Sequence, residues 1–152
     1  MIRNARMEDY QEVERIMQQV QNLHVAWRPD IYQPIETVLP VEEYREMMEA
    51  EAIIVAEQEG MVCAVSVFLE RTYQNPTHVK RRVLFVDTMA VEESYRGQGI
   101  GTEMFDYLKE VAKSRRCDGI ELQVNAKNAA AKRMYEKCGF TEKSINMELM
   151  DL

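Results

Sequence analysis

The chain has 152 residues, of which 46% are hydrophobic and 30% charged, and its formal net charge is −7. That length suits one domain with its own core, and the acidic balance argues against the basic surface that nucleic-acid binding needs, while staying compatible with a cationic partner. No stretch approaches the ~20 apolar residues of a bilayer span, the start Met1-Ile2-Arg3-Asn4-Ala5 lacks a signal-peptide pattern, and the three cysteines, Cys63, Cys117 and Cys138, have no metal-ligand spacing and read as reduced thiols. The expectation is a single cytoplasmic domain over residues 1–152 with no metal, no membrane and no nucleic acid.

Residues 2–6 read as a first strand and residues 8–22 as a helix, with Val13, Ile16, Met17, Val20 and Leu23 near helical spacing. Residues 24–34 read as irregular, because Pro29 and Pro34 break any helix there. A short helix is expected over 41–51, then a strand over 52–57, a turn at Gln58-Glu59-Gly60 and a strand over 61–71. Residues 73–79 are polar and read as a loop before a central strand over 82–91. A helix over 99–115 follows, with Ile100, Met104, Leu108, Val111 and Ala112 on one side. The chain closes with a strand over 119–124, a helix over 128–138 and one or two strands over 140–149. No repeat, linker or low-complexity segment interrupts this order.

Between the central strand and the next helix stands Tyr95-Arg96-Gly97-Gln98-Gly99-Ile100-Gly101-Thr102. Glycines at alternate positions let the backbone turn tightly and bring its amides near a ligand. At a helix N-terminus such amides and the helix dipole attract an anion. Two familiar phosphate loops do not fit. Thr102 and Glu103 follow Gly101, where a nucleotide-triphosphatase loop needs Lys-Ser or Lys-Thr. The glycine spacing also differs from the G-x-G-x-x-G of dinucleotide-binding folds.

The spacing that does fit is R-x-x-G-x-G, met by Arg96, Gly99 and Gly101, and it resembles the coenzyme A pyrophosphate loop of the GNAT superfamily of N-acetyltransferases. The stretch from Asn125 to Phe140, which includes Asn128, Ala131, Tyr135, Glu136, Lys137 and Gly139, is similar to the other signature of that superfamily. Asn128 suits an N-cap and Gly139 a helix stop. The resemblance implies an α/β fold: one domain with a central mixed, splayed β-sheet flanked by helices. It also implies acetyl-CoA as acetyl donor, entering where the strands ending near Val91 and Val124 part. The coenzyme would meet the backbone of Met89, Ala90 and Val91, the loop residues Arg96, Gly97, Gln98, Gly99, Ile100, Gly101 and Thr102, and Asn128, Ala131 and Tyr135.

Acetyl transfer to a primary amine needs a neutral nucleophile, although a lysine-like amine has a pKa near ~10.4 in water. Asp87 is the expected base, directly or through water. It stands where many superfamily members carry a longer glutamate, and the alternative is that it only binds a cationic substrate. Gln123 occupies a second position used by a glutamate in some relatives and has no basic group to offer. Glu121 and His24 are weaker candidates. A backbone amide near Met89 would stabilise the oxyanion, and Tyr135 would protonate the leaving thiolate. Trp27 and Tyr32 could wall the amine by cation–π contact or simply pack. The acceptor is expected to be a small-molecule or protein amine, with Trp27, Tyr32, Asp87 and Gln123 on its side. The strand Leu84-Phe85-Val86 is a candidate for pairing across a homodimer interface. A competing reading is a catalytically weak acyl-CoA-binding sensor or interaction module of the same fold.

Overall fold

The computed structural model describes residues 1–152. Strand β1 (Ile2–Asn4) leads through a single 3-10 turn, Met7–Asp9, into helix α1 (Tyr10–Trp27). Asp9 fixes this junction. Its carboxylate accepts the Arg6 amide at 2.8 Å and both arms of the Arg3 guanidinium, at 2.8 and 3.0 Å. Helix α1 runs about a turn further than the apolar periodicity indicates. Nothing between Gln21 and Trp27 breaks a helix, and Pro29 is the first residue that cannot continue one. The Arg28 amide closes the last turn on the His24 carbonyl at 2.8 Å.

Helix α2 (Val41–Glu49) begins after Pro40 and buries Tyr44, whose hydroxyl donates to the Arg6 carbonyl at 2.6 Å. Strands β2 (Ile53–Gln58), β3 (Met61–Asn75) and β4 (His78–Val91) follow. The polar stretch expected as a loop over 73–79 is instead the tip of a long β3–β4 hairpin. Its turn needs only Pro76 and Thr77, because the Asn75 side chain accepts the Thr77 amide at 2.9 Å and closes the turn locally. Helix α3 (Ile100–Ser114), strand β5 (Gly119–Leu122) and helix α4 (Ala129–Lys137) complete the regular structure.

The five strands lie in the order β1-β2-β3-β4-β5, antiparallel except for the parallel β4–β5 pair. Strand alternation divides the core between the two faces. Ile54, Ala56, Phe68, Leu84 and Val86 pack with Ile100, Met104, Phe105 and Leu108 of α3. Ile53, Val55, Val65, Val67 and Ala90 pack with Val13 and Ile16 of α1 and with Tyr44 of α2. No helix is long and apolar enough to cross a membrane.

Two expectations need correction. Leu84-Phe85-Val86 is not free to pair across a dimer, because β4 is flanked there by β3 on one side and β5 on the other. Residues 141–152 form no regular element where closing strands were expected. Their main chain makes no hydrogen bond to the rest of the protein, and side chains tie them down: Glu142 with Lys132, Lys143 with Glu121 and over the Tyr73 ring, and Glu148 with Arg28.

Candidate active site

The parallel pairing of β4 with β5 stops at Val86 and Leu122. Beyond that point β4 continues to Val91 paired with β3 alone, so the amides and carbonyls on its other edge have no strand partner. A cavity of about 490 Å³ opens in this gap. Val86 to Val91 of β4 form one wall and Leu122 to Asn125 the other. Val20, Leu23, His24 and Trp27 of α1 and Ala130, Ala131, Met134 and Tyr135 of α4 enclose it, and Tyr95, Arg96, Gly97, Ile100 and Gly101 close one end.

The strand parting coincides with a β-bulge. Val67 pairs with Thr88 and Phe68 with Val86, which leaves Asp87 as the extra residue. A bulge re-aims the side chain that it carries, and Asp87 lines the cavity although it is exposed. The bulge is held from below by Ser66, fully buried, whose hydroxyl donates to the Thr88 carbonyl at 2.9 Å. Asp87 is the only carboxylate among the residues lining the cavity.

The glycine loop takes the tight backbone that its glycines allow. Gly97 and Gly99 have φ of +79° and +83°, in the left-handed region that favours glycine. Gly101 lies inside α3, where an added Cβ would sit 3.0 Å from Cε of Met134, so its missing side chain lets α4 approach. The first amide of this turn to meet a helix carbonyl is that of Glu103, on Gly99 O at 3.1 Å. The preceding amides of the α3 N-terminus are therefore available to an anion. Two tethers set the loop. Arg96 Nε donates to the Val91 carbonyl at 3.0 Å. Glu92 accepts the Ser94 amide at 2.7 Å and side-chain bonds from Gln19 and Arg15 of α1 at 3.1 and 3.0 Å. Bonds from Ser94 and Gln19, with Arg15 adding to them, hold the Glu92 carboxyl down at about 2.

Across the cavity, Asn128 caps α4 by accepting the Ala131 amide at 3.1 Å. The helix ends on Gly139, with Gly139 N–H on Glu136 O and Phe140 N–H on Tyr135 O, both at 3.0 Å. These two ends fix the place of Tyr135 between them. Its ring meets Phe105 edge-on at 5.5 Å and Phe140 at 6.0 Å. Burial pushes its phenol up from the ordinary value, and the Cys138 thiol adds to the shift. The group thus stays a protonated donor at neutral pH. On the opposite wall His24 stacks on Tyr32 at 4.8 Å and tilts against Trp27 at 5.7 Å. Burial lowers its pKa and favours the neutral imidazole.

Most of the expected residues meet here: Trp27, Asp87, Met89, Ala90, Val91, Arg96, Gly97, Ile100, Gly101, Gln123, Asn128, Ala131 and Tyr135 all line the cavity. Gln98, Gly99 and Thr102 belong to the loop and the first turn of α3 without lining it. Tyr32 reaches the cavity only through its stack on His24. Glu121 does not reach it. Its carboxylate is held by Arg81 and Lys143, each at 3.0 Å, beside a separate groove. Nearby, Lys132 pairs with Glu142 and Lys127 donates to the Trp27 carbonyl at 3.2 Å. Ser66 and Glu92 were not anticipated. For Glu92 the signal was present, since a carboxylate two residues before Ser94 at a strand end is a local capping pattern.

Comparison with known proteins bears on this arrangement. A variant of the BH1408 protein of Bacillus halodurans is 31% identical and superposes with a TM-score of 0.95, covering 100% of this chain and 99% of that one. Aminoglycoside N-acetyltransferase AAC(6')-Iy, solved in complex with CoA, is 12% identical with a TM-score of 0.74 over 100% of this chain and 99% of that one, a likeness of fold alone. Glucosamine 6-phosphate N-acetyltransferase of Arabidopsis thaliana is 29% identical over 109 residues, 70% of this chain and 69% of that protein. Streptothricin acetyltransferase of Escherichia coli is 32% identical over 62 residues, 41% of this chain, and the match spans only about a third (36%) of that protein's length. The profile of the Acetyltransferase (GNAT) family matches residues 17–140, from the middle of α1 to the Phe140 that backs Tyr135. The glycine loop, the strand parting and the capped α4 all fall inside that match, and the chain belongs to the GNAT acetyltransferase family.

Proposed function

We infer that the protein transfers an acetyl group from acetyl-CoA to a primary amine by direct attack within a ternary complex. The observation that carries this reading is the end of β4–β5 pairing at Val86 and Leu122, with Asp87 and Tyr135 lining the one cavity that results. The free amides at the start of α3 suit a pyrophosphate. The unpartnered edge of β4 from Asp87 to Val91 suits an extended amide-bearing arm, which would add to it as a strand does. Acetyl-CoA supplies the activated acyl group and a thiolate leaving group.

The roles of the side chains follow from their surroundings. Asp87, the cavity's one carboxylate, takes the proton of the attacking amine through water. An amide of the bulged strand near Met89 receives the developing oxyanion. Tyr135 keeps its proton because burial raises its pKa, and donates it to the departing sulfur. His24, Trp27 and Gln123 face the acceptor amine. The acceptor is a small molecule or a protein amine, and the acidic chain suits a cationic one. A solvent-facing Asp87 without a second carboxylate favours one other reading, a catalytically weak acyl-CoA-binding module.

Thiol release from acetyl-CoA against a panel of amines tests the proposal, with Tyr135→Phe measured alongside. The variant keeps the ring that packs on Phe105 and Phe140 and loses only the hydroxyl. Turnover should fall by roughly 10²–10⁴, with coenzyme affinity and melting temperature unchanged. Amine-dependent release that is equal in both proteins would remove Tyr135 from the acid role. Coenzyme binding without release for any amine would favour the binding module.

A further inference from the structure

The gap between β4 and β5 passes through the sheet. Met134 and Tyr135 of α4 pack with the α3 cluster on one face, and Val20 of α1 packs with the cluster on the other. Both helices line the same cavity. The free amides at the head of α3, and α4 beside them, make one face the coenzyme's side. The opposite face, under α1, is therefore where a second substrate enters.

That face has a definite chemistry. Val20, Leu23, His24 and Trp27 recur at the spacing of one helical stripe and are all half-buried. Of the three apolar ones only Val20 belongs to a core cluster; Leu23 and Trp27 turn their surface to the cavity. Apolar surface left facing a cavity is covered by an apolar ligand. His24 adds a second ring beside that of Trp27, and Tyr32 stacks on it at 4.8 Å. Burial lowers the His24 pKa, so the stripe carries no charge at neutral pH.

Carboxylates are correspondingly scarce. Asp87 is the one that lines the cavity. Asp30 and Glu148 meet at the C-terminal end of α1, but Arg28 holds both. Lys127, on the Trp27 carbonyl at 3.2 Å, brings a positive charge to the same end. One ammonium group thus finds a partner in Asp87. A second would be buried unpaired among apolar side chains and near a lysine.

On the basis of the acetyl-transfer reading, we propose that the acceptor is a primary amine with a single positive charge on an apolar, ring-bearing body, and that polyamines and other polycations are rejected. Its ring lies against Trp27 and His24, and its ammonium against Asp87. The ammonium gives one proton to water beside Asp87; its nitrogen then forms the amide C–N bond while the thioester C–S bond breaks. The sulfur leaves as the thiol with the proton of Tyr135, and the second proton shed by the nitrogen restores Tyr135.

The test compares kcat/KM for phenylethylamine, hexylamine and hexamethylenediamine with acetyl-CoA. The last two differ by one ammonium group. Phenylethylamine should be used best, and the diamine at least about tenfold less well than hexylamine. Trp27→Ala should lower kcat/KM for phenylethylamine roughly tenfold, chiefly through KM, and for hexylamine by less. Leu23→Glu places a carboxylate on the stripe and should cut the hexylamine-to-diamine ratio by roughly threefold or more. The ranking of the three amines in the parent protein decides even where a variant fails to fold. A diamine used as well as hexylamine, or thiol release with peptide amines alone, overturns the proposed acceptor and leaves acetyl transfer standing. Coenzyme A binding without release from any amine removes acetyl transfer, and the acceptor with it.

Discussion

Gly99 allows a clean test of the loop geometry. It has φ of +83° at the N-cap of α3, and a Cβ built there meets nothing within 4 Å. Gly99→Ala therefore perturbs backbone conformation without crowding. Holding an L-residue in the left-handed region costs about 1–2 kcal/mol. Alanine returns about 0.4–1 kcal/mol by restricting the unfolded chain. The net loss should be about 1 kcal/mol, or about 2–4 °C in melting temperature for a domain of this size. A backbone that instead relaxes to negative φ escapes the strain but turns the amides at the head of α3, and coenzyme affinity then falls. Urea unfolding and calorimetric titration with coenzyme A separate these outcomes. Stability and affinity both equal to the parent's would refute the link between this torsion and the binding loop.

Two further outcomes concern the supports of the site. Glu92 is held near a pKa of about 2 by Ser94, Gln19 and Arg15, below its ordinary 4.5. A carboxyl depressed on folding contributes stability above the unfolded pKa and loses it as pH falls through the folded one. The parent should therefore exceed Glu92→Gln in melting temperature at pH 6, with the gap narrowing as pH falls from about 4.5 toward about 2; a pH-independent gap would discount the carboxylate. Ser66→Ala removes the donor to the Thr88 carbonyl and should cost about 1 kcal/mol in urea unfolding. The same variant should lower kcat, because the bulge that aims Asp87 loosens; full activity would separate the bulge from catalysis.

The parts of this protein legible in its sequence are those governed by local chemistry. Gly97 and Gly99 reveal their backbone torsions because only glycine takes them at little cost, and Asn128 and Gly139 mark the ends of α4 because orphan amides and carbonyls need those residue types. Twelve of the expected residues between Val83 and Phe140 therefore line one cavity. The hairpin tip was not legible for the opposite reason. Residues 73–79 are polar, and polarity reads as a loop, yet a strand that projects beyond the sheet has no apolar face to display. Its pairing is fixed by the Asn75 turn and by the ladder already begun at Val83 and Arg71. The extent of α1 was missed because two prolines suggested a break near both, while only the position of the first, Pro29, limits the helix.

The C-terminal segment marks a deeper limit. Alternation at Ile145, Met147 and Leu149 is a sound strand signal, and residues 140–149 were expected to close the sheet on that basis. Alternation describes what a segment can bury; it does not say against what. Ordinarily a turn decides, because a glycine or proline at the right distance folds the strand back onto its neighbour. Residues 141–152 contain no such residue, and after Gly139 ends α4 the segment runs on with its apolar positions bare. The strand signal and the lack of regular structure are thus compatible, because the period states what residues 145–149 can bury while a strand exists only where a neighbour pairs with it.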